Sequence, residues 1–175
     1  MKRPLRFLAA FGLALGAVFG LAGTVVTSQN LRAVCWAIDS VGVVVATATL
    51  ALMFFRKGCD AIAVGFLVFA IGEGVMLSGT AGSLEASVPA FAAGTALWSA
   101  ALLLTSTPRE FDLWVRLAGI AGAILFAITS ARIFSGEPLS PIAKPLPFFA
   151  YPFLVLTFIG WIWALLKVET PHESQ

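Results

Sequence analysis

The chain has 175 residues, of which 59% are apolar and 11% charged, with a net charge of +2 and a mean hydropathy of +0.96. A soluble domain carries roughly 45–50% apolar and 25% charged residues, so these proportions exclude a soluble globular protein. The same hydrophobicity excludes a disordered chain, and 15 Phe and 5 Trp describe a molecule dissolved mainly in lipid.

A spanning helix needs about 20 mostly apolar residues, and the gaps between charges supply six. They predict an all-α bundle of six transmembrane helices forming one domain, residues 1–175, with helices near 7–27, 33–55, 61–80, 88–105, 108–133 and 148–166. The connections are too short for an extramembrane catalytic or nucleic-acid-binding domain. The first span follows Lys2, Arg3 and Arg6 as a secretory signal peptide would. Gly12, Gly16 and Gly20, four residues apart, instead suit a retained helix packed closely on a neighbour, which is the expectation here.

The second span carries Asp39, and the third carries Glu73 between Gly72 and Gly74. Gly65, Gly72 and Gly79 recur every seven residues and place a small surface on one face of the third helix. Gly74 leaves the backbone beside Glu73 open to a helix, water or solute. Trp98, near the middle of the fourth span, faces a protein neighbour. Thr107-Pro108-Arg109-Glu110 reads as a capping box that opens the fifth helix, which then presents small residues from Ala118 to Ala123. Pro138, Pro141, Pro145 and Pro147 favour a stiff, extended connection before the sixth helix. Trp36, Phe148, Phe149 and Tyr151 at one set of helix ends, with Trp114, Trp161 and Trp163 toward the other, form the pattern of interfacial aromatic belts.

Lysine and arginine choose the orientation. With the N-terminus cytoplasmic, the inner side holds Lys2, Arg3, Arg6, Arg56, Lys57, Arg109, Arg116 and Lys167, and the outer side Arg32, Arg132 and Lys144, eight against three. Both termini, including a polar tail at 168–175, are therefore expected inside a plasma membrane of the bacterial inner-membrane type. Arg116, near the inner interface, is expected to snorkel toward headgroups.

Cys35 and Cys59 fall at opposite ends of the second helix, too far apart for a disulfide. The lone His172 lies in the tail, so no haem, metal site or other cofactor is expected, and neither is an enzyme. Ionisable groups inside spans are costly in lipid and mark function by default. Asp39, Glu73 and Arg132 are the candidates for a solute or proton site, all in the outer half. At 1.5 Å per residue Asp39 is expected about 9 Å deep and Glu73 about 10 Å.

Two arrangements are open. Arg132 neutralises one of the acids in a buried ion pair that sets helix register, or the acids line an outward-facing wet cavity with Arg132 tuning them. The corresponding functions are passage of a small solute or proton, and a non-catalytic accessory or scaffolding subunit of a larger membrane complex. The expected partners are the lipid bilayer and a second copy or larger complex, with no nucleic acid.

Overall fold

The structure, a computed structural model, describes residues 3–80 and 83–167. Six helices follow in order: α1 (Arg3–Val25), α2 (Gln29–Phe55), α3 (Asp60–Gly79), α4 (Val88–Ser106), α5 (Leu113–Phe134) and, after a 3₁₀ turn at Phe148–Ala150, α6 (Tyr151–Leu166). Each of the six segments is long and apolar enough to cross a membrane, counting α6 with its 3₁₀ turn. The chain is thus an integral membrane protein, and its outward-facing Phe7, Phe11, Leu52, Leu67, Ile71, Ile124 and Ile159 are in contact with lipid. The tail at 168–175, with His172, lies outside the described residues.

Each helix packs on the next in the chain and α6 returns to α1, which closes a ring. Helices alternate in direction. One end of the ring, here the mouth end, gathers the last residues of α1, α3 and α5 and the first of α2, α4 and α6.

Small residues bring the helices together, because lipid supplies little hydrophobic force between them. A Cβ on Gly72 would sit 2.9 Å from Leu97 Cβ, one on Gly65 2.8 Å from Thr105 Cγ2, and one on Gly79 2.8 Å from Ala90 Cβ. The seven-residue row on α3 is therefore where α4 lies. Gly12 meets α2 at Gly42 and Ala46. Gly74 has nothing within 4 Å of the place a Cβ would take and faces outward, so it does not open the backbone toward a site beside Glu73.

Buried hydroxyls are satisfied locally. Thr47, Thr95, Thr105, Thr129 and Thr157 each donate to the carbonyl four residues earlier at 2.7–2.9 Å. Ser130 reaches across from α5 to the Ala92 carbonyl of α4 at 2.9 Å.

Several helix ends differ from the sequence expectation. Helix α2 begins at Gln29, four residues early, because Ser28 takes the N-cap and its Oγ accepts the Leu31 N–H. Helix α5 begins at Leu113 with Asp112 at its N-cap, not at Pro108. The capping box is not formed: Thr107 stays with α4, its hydroxyl donating to the Leu103 carbonyl at 2.8 Å. Arg116 does not reach for headgroups. It donates to the carbonyls of Ser106 and Thr107, both at 2.9 Å, and so caps the C-terminal end of α4.

At the far end the lumen is filled with rings. Phe66 and Phe69 of α3 project across it to α6, with Phe66–Trp161 centroids 4.7 Å apart and Phe69–Phe158 5.7 Å apart. Phe54 and Phe111 close the same cluster. Trp161 is 1% exposed and belongs to this plug, not to an interfacial belt. Trp114 and Trp163 are the inner-end tryptophans that face outward.

Candidate functional site

Above the plug the same lumen opens. On α3 the inward face reads Phe66, Phe69, Glu73 and Met76, so one helical stripe passes from rings to a carboxyl within two turns. The result is a cavity of about 210 Å³ that reaches the mouth end. Its deep walls are Asp39, Ser40, Glu73, Trp98, Tyr151 and Phe158, and its rim includes Thr24, Asn30, Arg32, Thr80 and Ser83. Helix α5 contributes no residue to it.

Asp39 and Glu73 enter from adjacent helices at one level. Ser40, the residue after Asp39, donates its hydroxyl to Glu73 Oε1 at 2.6 Å, tying α2 to α3. Ten residues separate Asp39 from the start of α2 and six separate Glu73 from the end of α3. By rise alone that is about 15 Å against about 9 Å. The two acids meet because α2 is seven residues longer than α3 (27 against 20) and extends farther at the mouth end.

The glycines of α1 have a role at this level besides helix contact. The carboxylate of Asp39 lies against the backbone of Gly16 and Gly20: a Cβ on Gly20 would be 3.0 Å from Oδ2, and one on Gly16 3.2 Å from Oδ1. Without side chains there, α1 leaves room for an acid on α2. Glu73 is 2% exposed, packed between Ser40 and the indole of Trp98. Trp98 stacks on Phe69 with centroids 5.4 Å apart, and its buried indole N–H lies beside Glu73.

Arg132 does not join them. Helix α5 ends in a turn with Gly136 at φ +100°, where the Glu137 N–H bonds to the Arg132 carbonyl at 3.1 Å. That turn folds Glu137 back beside Arg132, and their side chains pair at 2.6 Å with 39% and 51% exposure. The pair is the one salt bridge among the described residues. A near sequence neighbour has outcompeted the acids across the ring, so the ion pair between Arg132 and Asp39 or Glu73 is not formed. The cation closest to the cavity is Arg32 at its rim. Its Nε donates to the Gly23 carbonyl at 3.2 Å, a terminal nitrogen donates to the Val26 carbonyl, and its guanidinium lies 5.9 Å over Trp36. It caps α1 and forms no salt bridge with either carboxylate.

Trp36 and Tyr151, read from sequence as interfacial, line the cavity. The Tyr151 hydroxyl donates to the Pro141 carbonyl at 2.7 Å, which seats the Pro-rich connection on the rim. Cys35 and Cys59 are free thiols. Among the described residues no three His, Cys, Asp or Glu side chains are grouped to hold a metal ion.

No family model matches the chain, and comparison with curated proteins and with solved structures found no match. The chemistry of the cavity therefore has to be read from its own residues. It offers two acids without a cationic partner, aromatic walls, polar rim groups, and a floor sealed by stacked rings.

Proposed function

We propose that this protein takes up a small solute or proton from the outer face of a plasma membrane of the bacterial inner-membrane type and passes it through the ring, without catalysing a reaction. The supporting observation is the cavity that leads from the mouth end to Asp39 and Glu73. Intramembrane acids without a cationic partner are costly, and a role in binding or transfer is the ordinary reason for keeping them. The aromatic plug closes the other end of the lumen, so passage requires Phe66, Phe69 and Trp161 to rearrange.

The orientation follows from the eight to three bias in Lys and Arg. In a background carrying Cys35→Ser and Cys59→Ser, an impermeant thiol reagent added to intact cells is expected to label Ser140→Cys and spare Glu110→Cys. The opposite pattern reverses the orientation.

Reconstitution into sealed vesicles tests passage itself. The full chain is expected to speed collapse of an imposed pH gradient, or swelling in a small solute, relative to empty vesicles. Asp39→Asn and Glu73→Gln are expected to remove that effect while the protein still elutes as a monodisperse species. Rates equal to those of empty vesicles across a solute panel overturn the proposal.

A further inference from the structure

We infer that the cavity is a binding site for a small organic cation, an alkylated ammonium whose charged head lies between Asp39 and Glu73 and whose apolar body lies against Trp98, Tyr151 and Phe158. The inference rests on the passage reading for its biological purpose but not for its chemistry. Three features of the cavity carry it.

The first is charge. Two carboxyl groups share one level of the lumen and line one cavity, and among the described residues neither has a cation in salt-bridge contact. Arg32, at the rim, is occupied by the carbonyls that end α1. Two carboxyls in one site of low dielectric do not both stay ionised, so the pair carries a single negative charge. An anion would meet repulsion there, and a monovalent cation neutralises that charge.

The second is the nature of the wall. Inorganic cations such as Ca²⁺ replace their water with about six to eight oxygen ligands. Here the deep wall offers few oxygens beyond the two carboxyls, and Ser40 already donates to Glu73. The remaining surface is mostly ring faces and aliphatic groups, which suit a weakly hydrated cation such as a quaternary ammonium. Tyr151 lines the same cavity as both acids and supplies an aromatic wall there.

The third is size. A volume of about 210 Å³ lies below the range of drug-sized pockets, so small ions such as tetramethylammonium and choline are the candidates and the bulkier tetrabutylammonium is the control.

The test is calorimetric titration of the purified full chain in detergent with choline chloride and tetramethylammonium chloride at constant ionic strength. Saturable binding of both is expected, with no competition from NaCl and none from tetrabutylammonium. Asp39→Asn and Glu73→Gln are each expected to weaken binding about tenfold or more, while Glu137→Gln, remote from the cavity, leaves it unchanged. Tyr151→Phe keeps the ring and the affinity; Tyr151→Leu loses affinity. This pair of variants tests the inference even where a carboxyl substitution prevents folding.

Absence of saturable ammonium binding overturns the inference, as does binding indifferent to both carboxyl substitutions. Equal competition by NaCl assigns an inorganic cation instead and also overturns it. The two proposals separate cleanly. Acid-dependent proton flux without ammonium binding keeps passage and removes the organic cation, whereas ammonium binding without any flux keeps this site and removes passage.

Discussion

The two halves of the ring are made from the same six helices, yet they are filled in opposite ways. Toward the closed end, Phe54, Phe66, Phe111 and Trp161 interlock until Phe66 and Trp161 are at most 1% exposed. Toward the mouth end, the inward positions include Gly16, Gly20, Asp39, Ser40 and Glu73, small or polar residues set among Trp98, Tyr151 and Phe158, and a cavity remains. What differs is the volume and polarity of side chains on the lumen face, not the helices that carry them. Large rings complete the van der Waals packing that holds a bundle together in lipid. The mouth half forgoes part of that packing, and its coherence rests on close glycine contacts and on the Ser40–Glu73 hydrogen bond.

The sharpest way to break this contrast is to remove the plug. Trp161→Ala is expected to destabilise the protein by about 3–5 kcal/mol, the range for truncating a buried aromatic residue, read as a lower unfolding temperature in detergent. Met76→Ala, at the cavity wall, is expected to lower that temperature clearly less. Equal losses would mean that the two halves are packed alike.

Next in size is Gly72→Leu, which drives side-chain atoms into Leu97 and Trp98 and is expected to cost about 1–3 kcal/mol. Gly74→Leu, two residues away, enters open space and is expected to change stability by no more than about 0.5 kcal/mol. Equal effects would place protein on both sides of α3 and contradict the lipid-facing position of Gly74.

Ser40→Ala removes the donor to a buried acid and is expected to cost about 1–3 kcal/mol, with a further effect on any flux or binding that depends on Glu73. A variant with unchanged stability and unchanged activity would show that the α2–α3 hydrogen bond does not organise the mouth half.

The smallest effect is expected at Arg132. Its partner Glu137 is half exposed, and pairs of this kind contribute about 0–1 kcal/mol. Arg132→Gln is expected to shift the unfolding temperature little and to leave activity intact. A large loss of activity would show that Arg132 reaches the acids in another state of the ring.

The sequence by itself determined that the chain spans the membrane six times, where each span lies to within a few residues, that α3 carries a small face for a neighbour, and that Asp39 and Glu73 are the costly groups. Those properties depend on composition along the chain, because transfer into lipid penalises each charge wherever its helix is turned. Rotation about each helix axis was a different matter. When lipid and lumen both favour apolar side chains, periodicity no longer tells an inward face from an outward one. Trp161 and Tyr151 therefore read as belt residues until α6 was seated in the ring, and Gly74 read as open to Glu73 until α3 was turned against α4. The partner of Arg132 was hidden for a related reason. Glu137 reaches it only because the turn at Gly136 folds the chain back, a short-range geometry that offered a half-exposed partner in place of any contact across the ring. The meeting of Asp39 with Glu73, and the backing of Asp39 by Gly16 and Gly20, required the unequal lengths and close approach of α1, α2 and α3, which only tertiary packing sets.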